Sequence, residues 1–274
     1  MSNQKVPILS VDNFDISKVS FAKPRKDDYG QRIYLNYNDG AFMIKTPVVR
    51  FPFGLSKVPE KYNQGPEPKF TMPITISEWT DEHENTEVRK YYNVMMELEQ
   101  MVMKYIADNS KELFGKKKSL DVVEEKFNTI FRRGTDKEGK DYPPKMTFKI
   151  PYYKGSFGCD VHVSKSEKLE IDADHPDEAI PSGSTGYVVF NMSLYLGAST
   201  YSMPMNAKLI KVKPRLGAKV DFSDVLEDSD EEADEEADDV EEEESEDEIE
   251  EDDSEEEPEP VKAKRGRKKL TTPN

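Results

Sequence analysis

Residues 70–109 read FTMPITISEWTDEHENTEVRKYYNVMMELEQMVMKYIADN, and the hydrophobic period changes inside them. Up to Ile76 the period is two: Phe70, Met72, Ile74 and Ile76 alternate with Thr71, Pro73 and Thr75, the pattern of a strand with one buried face. Pro73 has no backbone donor, so it predicts an edge position in the sheet. From Val88 onward the apolar residues recur at steps of three and four. Val88, Tyr91, Tyr92, Met95, Leu98, Val102, Tyr105 and Ile106 therefore line one wide face of a helix. Asn85 suits the N-cap, Glu87 stands in the first turn where the dipole favours an acid, and Gly115 supplies a stop. The helix is expected over Thr86–Asn109. Its Tyr92, Met95, Leu98 and Val102 face should be packed, with Glu97, Glu99 and Lys104 outside. Met95, Met96, Met101 and Met103 flank the stripe and read as core filler.

Strands are expected on both sides of this helix. Before it, Phe14, Ile16, Val19 and Phe21 suit a bulged strand, and Ile33, Leu35 and Tyr37 alternate with Tyr34 and Asn36. Asn38-Asp39-Gly40 is the strongest hairpin signal in the chain, after which Ala41 to Val49 resumes as a strand that Pro47 demotes to an edge. After it come a short helix over Leu120–Asn128 and strands at Met146–Ile150, Cys159–Val163, Tyr187–Leu196 and Ala207–Val212. Gly155 and Gly158 lie in a hairpin turn. Strands, one major helix, then strands is not the alternation of a parallel sheet. It predicts a mainly β fold with an inserted helix, an antiparallel Greek-key barrel or sandwich.

Charge is distributed unevenly. Glu227 to Pro260 holds 25 Asp or Glu among 34 residues and no Lys or Arg. The whole chain has a formal net charge of -17, so the remainder without this run carries +8. With Val240 and Ile249 isolated, the run cannot bury enough surface to offset the entropy of ordering, and disorder is expected. The organisation read from this is a folded domain over 1–226, a disordered acidic tail over 227–260 and a basic segment over 261–274. The last segment reads first as a polybasic localisation signal or a nonspecific DNA contact; Arg265-Gly266-Arg267 also has the form of a minor-groove hook, without the usual proline. An acidic polymer beside a net basic remainder suggests mimicry of a polyanion, and the obvious polyanion is nucleic acid.

Composition excludes several classes of function. One cysteine, Cys159, and three scattered histidines, His83, His162 and His175, fit neither a disulfide framework nor a structural zinc site. No apolar run approaches a membrane span, and the N-terminus lacks a signal-peptide core. A soluble intracellular protein is expected. No phosphate-binding loop, nucleophile elbow, zinc-protease motif or dinucleotide fingerprint is present, so no catalytic residues, cofactor or metal are expected.

What stands out is basic residues interleaved with aromatics. Arg32 and Tyr34 share a strand face; Arg50 and Phe53 follow; Lys145, Lys149, Tyr152, Tyr153 and Lys154 form the densest group. Single-stranded nucleic acid is held by positive charge tracking its backbone and by aromatic faces on which bases stack. Period two puts Lys145, Thr147 and Lys149 on one face and Met146, Phe148 and Ile150 on the other, so Phe148 belongs to the core and Lys149 to the surface. The expected binding residues are Arg50, Phe53, Lys145, Lys149, Tyr152, Tyr153 and Lys154.

On Lys45-Thr46-Pro47, Pro52-Phe53-Gly54-Leu55-Ser56, Tyr142-Pro143-Pro144 and the acidic tail, the chain resembles the acidic-tailed single-stranded DNA-binding proteins of some phages and their counterparts in large nucleocytoplasmic DNA viruses. The resemblance spans roughly 14–260. It implies an OB-fold core with a helix between the third and fourth barrel strands. It also implies a tail that competes with DNA and recruits replication proteins, a role in viral DNA replication or recombination, and no enzymatic activity. The phage tails end in the acidic run with a terminal aromatic, whereas here Lys262–Lys269 follows it. Expected partners are single-stranded DNA and replication proteins, with a homodimer left open and no membrane. The expected location is the host nucleus or a viral replication compartment. The alternative reading is an acidic nuclear chaperone or scaffold that binds basic partners.

Overall fold

The computed structural model describes residues 6–213, apart from 28 and 64. The acidic run and the basic end, with every expectation placed on them, lie outside the described residues. Seven segments build the barrel: Gly30–Tyr37 (β1), Met43–Lys45 (β2), Val49–Arg50 (β3), Phe70–Thr75 (β4), Lys145–Ile150 (β5), Thr185–Gly197 (β6) and Met205–Lys213 (β7). The long helix, Glu87–Asp108 (α1), joins β4 to β5.

The longest strand, β6, organises the pairing. Along one flank it runs antiparallel to β1, β2 and β3 in turn, with Ser193 opposite Tyr34, Val189 opposite Lys45 and Thr185 opposite Arg50. Along the other it pairs antiparallel with β7. Strand β7 meets β5 in parallel at Asn206 and Lys149. Strand β5 pairs antiparallel with β4 from Lys145 opposite Thr75 to Ile150 opposite Phe70. Thr75 then faces Arg50 of β3, and the circuit closes. Five barrel strands in this order, with β1 to β3 counted as one, make a Greek-key barrel of the OB type. The expected antiparallel arrangement holds everywhere on the circuit except the β5–β7 contact.

Counting β1 to β3 as one strand corrects two expectations. Asn38 and Asp39 do adopt positive φ, 48° and 62°, and Tyr37 is bridged to Gly40, so the turn forms. It makes no hairpin, because β1 and β2 are both antiparallel to β6 and hence run in the same direction. The turn is a detour within one interrupted strand. The helix accordingly falls between the second and third barrel strands, not the third and fourth.

Proline punctuation has local compensation. Pro47 interrupts the strand after β2, and Thr46 takes over the pairing with β6. Its N–H donates to the Val188 carbonyl at 2.9 Å, and its buried hydroxyl accepts the Val188 N–H at 3.0 Å. Pro73 is matched to Thr147 of β5. On the other flank of β4 only Phe70, Thr71 and Thr75 have partners, so the missing donor of Pro73 faces a gap in the ladder.

The interior is filled by the alternate residues of each strand: Phe70, Met72 and Ile74; Met146, Phe148 and Ile150; Val188 and Phe190; Ala207, Ile210 and Val212, all buried. Phe148 and Phe190 meet with ring centroids 4.9 Å apart. Helix α1 buries Tyr91, Met95, Leu98, Val102 and Ile106, and the Tyr91 hydroxyl reaches the Met146 sulfur at 3.3 Å. The N-cap is Thr86, one residue later than expected; its hydroxyl accepts the Arg89 N–H at 3.1 Å. Ser110–Phe114 extends the helix until Gly115, at φ 73°, ends it.

Three further expectations are corrected. Glu99 is buried, with 3 % of its surface exposed, because its carboxylate accepts the Ile130 N–H. Residues 14–21 contain the 3-10 turn Ile16–Lys18 and a short strand Val19–Phe21 in place of a bulged strand. Asp15 starts that turn by accepting the Ser17 N–H at 3.0 Å, a local bond that competes with a sheet ladder. The short helix after α1 spans Leu120–Lys126, and the next two residues, Phe127–Asn128, pair in parallel with Tyr201–Ser202. Among the described residues no helix is long and apolar enough to cross a membrane.

Candidate nucleic-acid interface

Because Phe70, Met72, Ile74, Met146, Phe148 and Ile150 point inward, Thr71, Pro73, Thr75, Lys145, Thr147 and Lys149 point outward. Two cross-strand rungs result. The first is Arg50, Thr75 and Lys145. The second is Thr71, Lys149, Asn206 and Asn191. The two lysines are four positions apart along β5, about 13 Å at strand rise. The outer face of the second and third strands is the one on which OB-folds bind oligonucleotides and oligosaccharides.

The second rung lies in a cleft. A cavity of ≈ 340 Å³ is lined by Thr71, Thr147 and Lys149 of the sheet, by residues 128–130 and Arg132, and by Ser202, Met203, Pro204 and Met205. Arg132 is placed by backbone: it exchanges both hydrogen bonds with Lys145, at 2.8 and 2.9 Å. A neighbouring cavity of ≈ 280 Å³ continues past Asn206 to Lys208, Arg32 and Tyr34. No carboxylate lines either cavity. Among the described residues, none of Arg32, Lys69, Arg132, Lys149 and Lys208 takes part in an ion pair.

Lys149 registers this crowding. Its ammonium pKa is lowered, first by loss of water in the cleft, then by the like charges of Arg32 and Lys69. A bound anion would offset the repulsion from Arg32 and Lys69 and favour the charged ammonium. The cleft is therefore a cationic slot without internal neutralisation, the arrangement that favours a polyanion.

Exposed aromatic rings accompany the two groups of cations, Phe53 beside Lys145 and Tyr34 in the cavity of Arg32 and Lys208. Phe53 is 58 % exposed, and the Lys145 ammonium lies 5.0 Å from its ring centroid. The loop carrying Phe53 is fixed from below: Leu55 N–H donates to the Ile180 carbonyl at 3.1 Å, and the Ser182 hydroxyl to the Pro52 carbonyl at 2.6 Å. Gly54 has φ 63°, and a Cβ there would come 2.1 Å from the Ile180 oxygen. Tyr34 is exposed on β1, with the Arg25 guanidinium 5.4 Å from its centroid.

Comparison with known proteins gives partial likenesses. No known family's sequence pattern and no curated protein matches the chain. Among solved structures, the single-stranded DNA-binding protein of bacteriophage Enc34 in complex with ssDNA is similar at 15 % identity and a TM-score of 0.38, over 69 % of this chain and 93 % of that one. The single-stranded DNA binding protein gp2.5 encoded by bacteriophage T7 is similar at 12 % identity and a TM-score of 0.42, over 68 % of this chain and 97 % of that one. The Enc34 protein without DNA is similar at 16 % identity and a TM-score of 0.35, over 75 % and 98 %. The barrel itself follows from the hydrogen-bonded pairings of this chain.

Of the residues expected from sequence, Arg50, Phe53 and Lys145 come together on the first rung, and Lys149 sits in the cleft. The other three lie past the end of β5 on a two-stranded hairpin, Tyr152–Tyr153 with Ser156–Phe157. Tyr152 is half-buried against Phe70 and Phe157, with centroids at 5.1 and 4.7 Å. Tyr153 is 65 % exposed beneath the Lys154 ammonium, and the Lys154 N–H donates to Glu67 at 3.1 Å. The expected set omitted Arg32 and Tyr34, which the sequence places on one strand face, and Lys69, Arg132, Asn206 and Lys208. Arg132 carried a signal in the basic pair Arg132-Arg133, and Lys69 one in its position directly before a strand. Nothing in the sequence marks Asn206, which enters only through the parallel β5–β7 contact.

Cys159 is buried, and burial followed by the neighbouring Asp160 pushes its thiol pKa up to about 12. Among the described residues no three His, Cys, Asp or Glu side chains are grouped to hold a metal.

Proposed function

We propose that this protein binds single-stranded DNA through the outer face of β4 and β5, acting by binding and not by catalysis. One observation carries the reading: Lys149 and Arg132 line one cavity, Arg32 and Lys208 line the next, Arg32 and Lys69 act on Lys149 as like charges, and no carboxylate lines either cavity. Exposed Phe53 and Tyr34 offer faces on which unpaired bases can stack. A duplex keeps its bases stacked on each other, so it could use the charges and not the rings.

The setting we propose is viral DNA replication or recombination. In it the acidic run competes with DNA for the cleft and, once displaced, offers itself to basic patches on replication proteins. The support is the sequence of the run and the family resemblance. A chaperone of basic proteins would use the same run but would leave the cationic cleft without a ligand.

Fluorescence anisotropy with labelled oligo-dT and with a duplex of equal length tests the reading. Tighter binding of oligo-dT at the same salt supports it; equal or tighter binding of the duplex overturns it.

A further inference from the structure

Strand β7 carries more positive charge on its outer face than period two allows. Its sequence is Met205-Asn-Ala-Lys-Leu-Ile-Lys-Val-Lys213. Strict alternation from Asn206 would send Lys208 outward, then Ile210 outward and Lys211 into the core. The register against β6 shifts instead: Val189 faces Leu209 and Phe190 faces Ala207, which leaves Lys208 as an extra residue. This bulge resets the alternation, as bulges do when they re-aim a side chain. Ala207, Ile210 and Val212 are buried, and Lys208 and Lys211 both reach the surface.

Beyond the bulge the outer face holds a second cluster. Tyr187, Lys211, His162 and Lys168 form one rung across β6, β7 and the strands Asp160–His162 and Lys168–Leu169. A cavity of ≈ 240 Å³ lies there, lined by Tyr187, Leu209, Lys211, His162, Ser164 and Lys165. The Lys45 ammonium of β2 stands 4.6 Å from the Tyr187 centroid. Lys168 is engaged with Asp160 at 2.7 Å, but Lys45, Lys165 and Lys211 have no ion pair among the described residues. No carboxylate lines this cavity either.

The three cavities are strung in order along β7. The first takes in Met205, the second Asn206 and Lys208, the third Leu209 and Lys211. We infer that the Lys45–Tyr187–Lys211 cluster is a second binding subsite for single-stranded polynucleotide, reached by a strand that leaves the Lys149 cleft along the outer face of β7. The inference rests on the proposed single-strand binding and extends it: the cleft takes a short oligonucleotide, and only a longer one reaches the subsite.

The test compares two lengths of labelled oligo-dT on the full chain, about 6 and about 20 nucleotides, the first near the short end of the roughly 4–16 nucleotides that single OB-folds cover and the second beyond it. The Lys45→Ala/Lys211→Ala variant should bind the long oligomer on the order of tenfold more weakly, with a log–log salt slope shallower by about 1.4, roughly 0.7 for each phosphate that is no longer neutralised. Its affinity for the short oligomer should be unchanged, which also reports that the variant is folded. Parental affinity for both lengths overturns the subsite and leaves the cleft reading intact. Equal weakening at both lengths also overturns the subsite, since the two lysines then do not act on the longer strand alone. Failure of the parent to bind either length overturns the cleft reading and the subsite with it.

Discussion

The carboxylate of Glu99, on the buried side of α1, accepts the backbone N–H of Ile130. That bond ties the helix to the segment that lines the Lys149 cleft and delivers Arg132 to it. Glu99→Ala would leave a buried donor unpaired, and we expect a loss of about 1–3 kcal/mol in urea unfolding.

Acidity offers a second readout of the same contact. Burial raises the Glu99 pKa above its ordinary 4.5, and the Ile130 N–H and Arg133 oppose the rise without cancelling it. The folded protein thus holds this proton more tightly than the unfolded chain. Stability tied to Glu99 is full below the ordinary value and falls as pH rises through the raised folded value. Glu99→Gln keeps an acceptor and cannot ionise, so it should gain on the parent across that interval. A parent and variant with parallel stability–pH curves would contradict this.

Leu98, one residue earlier, is fully buried. Leu98→Ala should cost about 2–5 kcal/mol by thermal or denaturant unfolding. A loss within about 0.5 kcal/mol, the range of surface substitutions, would contradict the packing.

Gly54 sets the height of Phe53. With φ 63° and the Ile180 oxygen 2.1 Å from a built Cβ, alanine is both strained and sterically blocked. Gly54→Ala should destabilise by more than about 1 kcal/mol, since it strains the native state instead of only stiffening the unfolded one. It should also weaken oligo-dT binding by displacing Phe53. Unchanged stability and affinity would refute the role.

Much of the fold was legible because the periods are clean. Phe70–Ile76, Val88–Ile106 and Lys145–Ile150 each announce their element and their buried face. Residues 14–21 fail through a local bond, Ser17 N–H to Asp15, but at two other places partners distant in sequence decide local choices. Asn38-Asp39-Gly40 forms its turn, but β6 determines that the flanking strands do not pair. Glu99 looks solvated until the segment at Ile130 returns over it. Half of the cationic surface was visible as residues interleaved with aromatics. Arg132 and Lys69 had local cues, whereas Asn206 and Lys211 depend on the β5–β7 contact and on the bulge at Lys208, neither of which leaves a local signature.

The acidic run, Glu227 to Pro260, supports a prediction from charge alone. On the proposed reading, the run, at an effective concentration on the order of millimolar, would compete with DNA through charge without stacking. Deleting 227–260 should tighten oligo-dT binding most at low salt, with a gain that shrinks as salt rises. Identical affinities at every salt concentration would leave the run a solubilising tail.

The cleft is tested most directly by a salt titration of oligo-dT binding to the full chain and to its Lys149→Ala and Arg132→Ala variants, each confirmed folded by circular dichroism. Each variant should bind more weakly than the parent, with a log–log slope shallower by roughly 0.7, the value for one phosphate of a single strand left without its cation. Folded variants that match the parent in affinity and slope at every salt concentration would contradict single-strand binding in the Lys149 cleft.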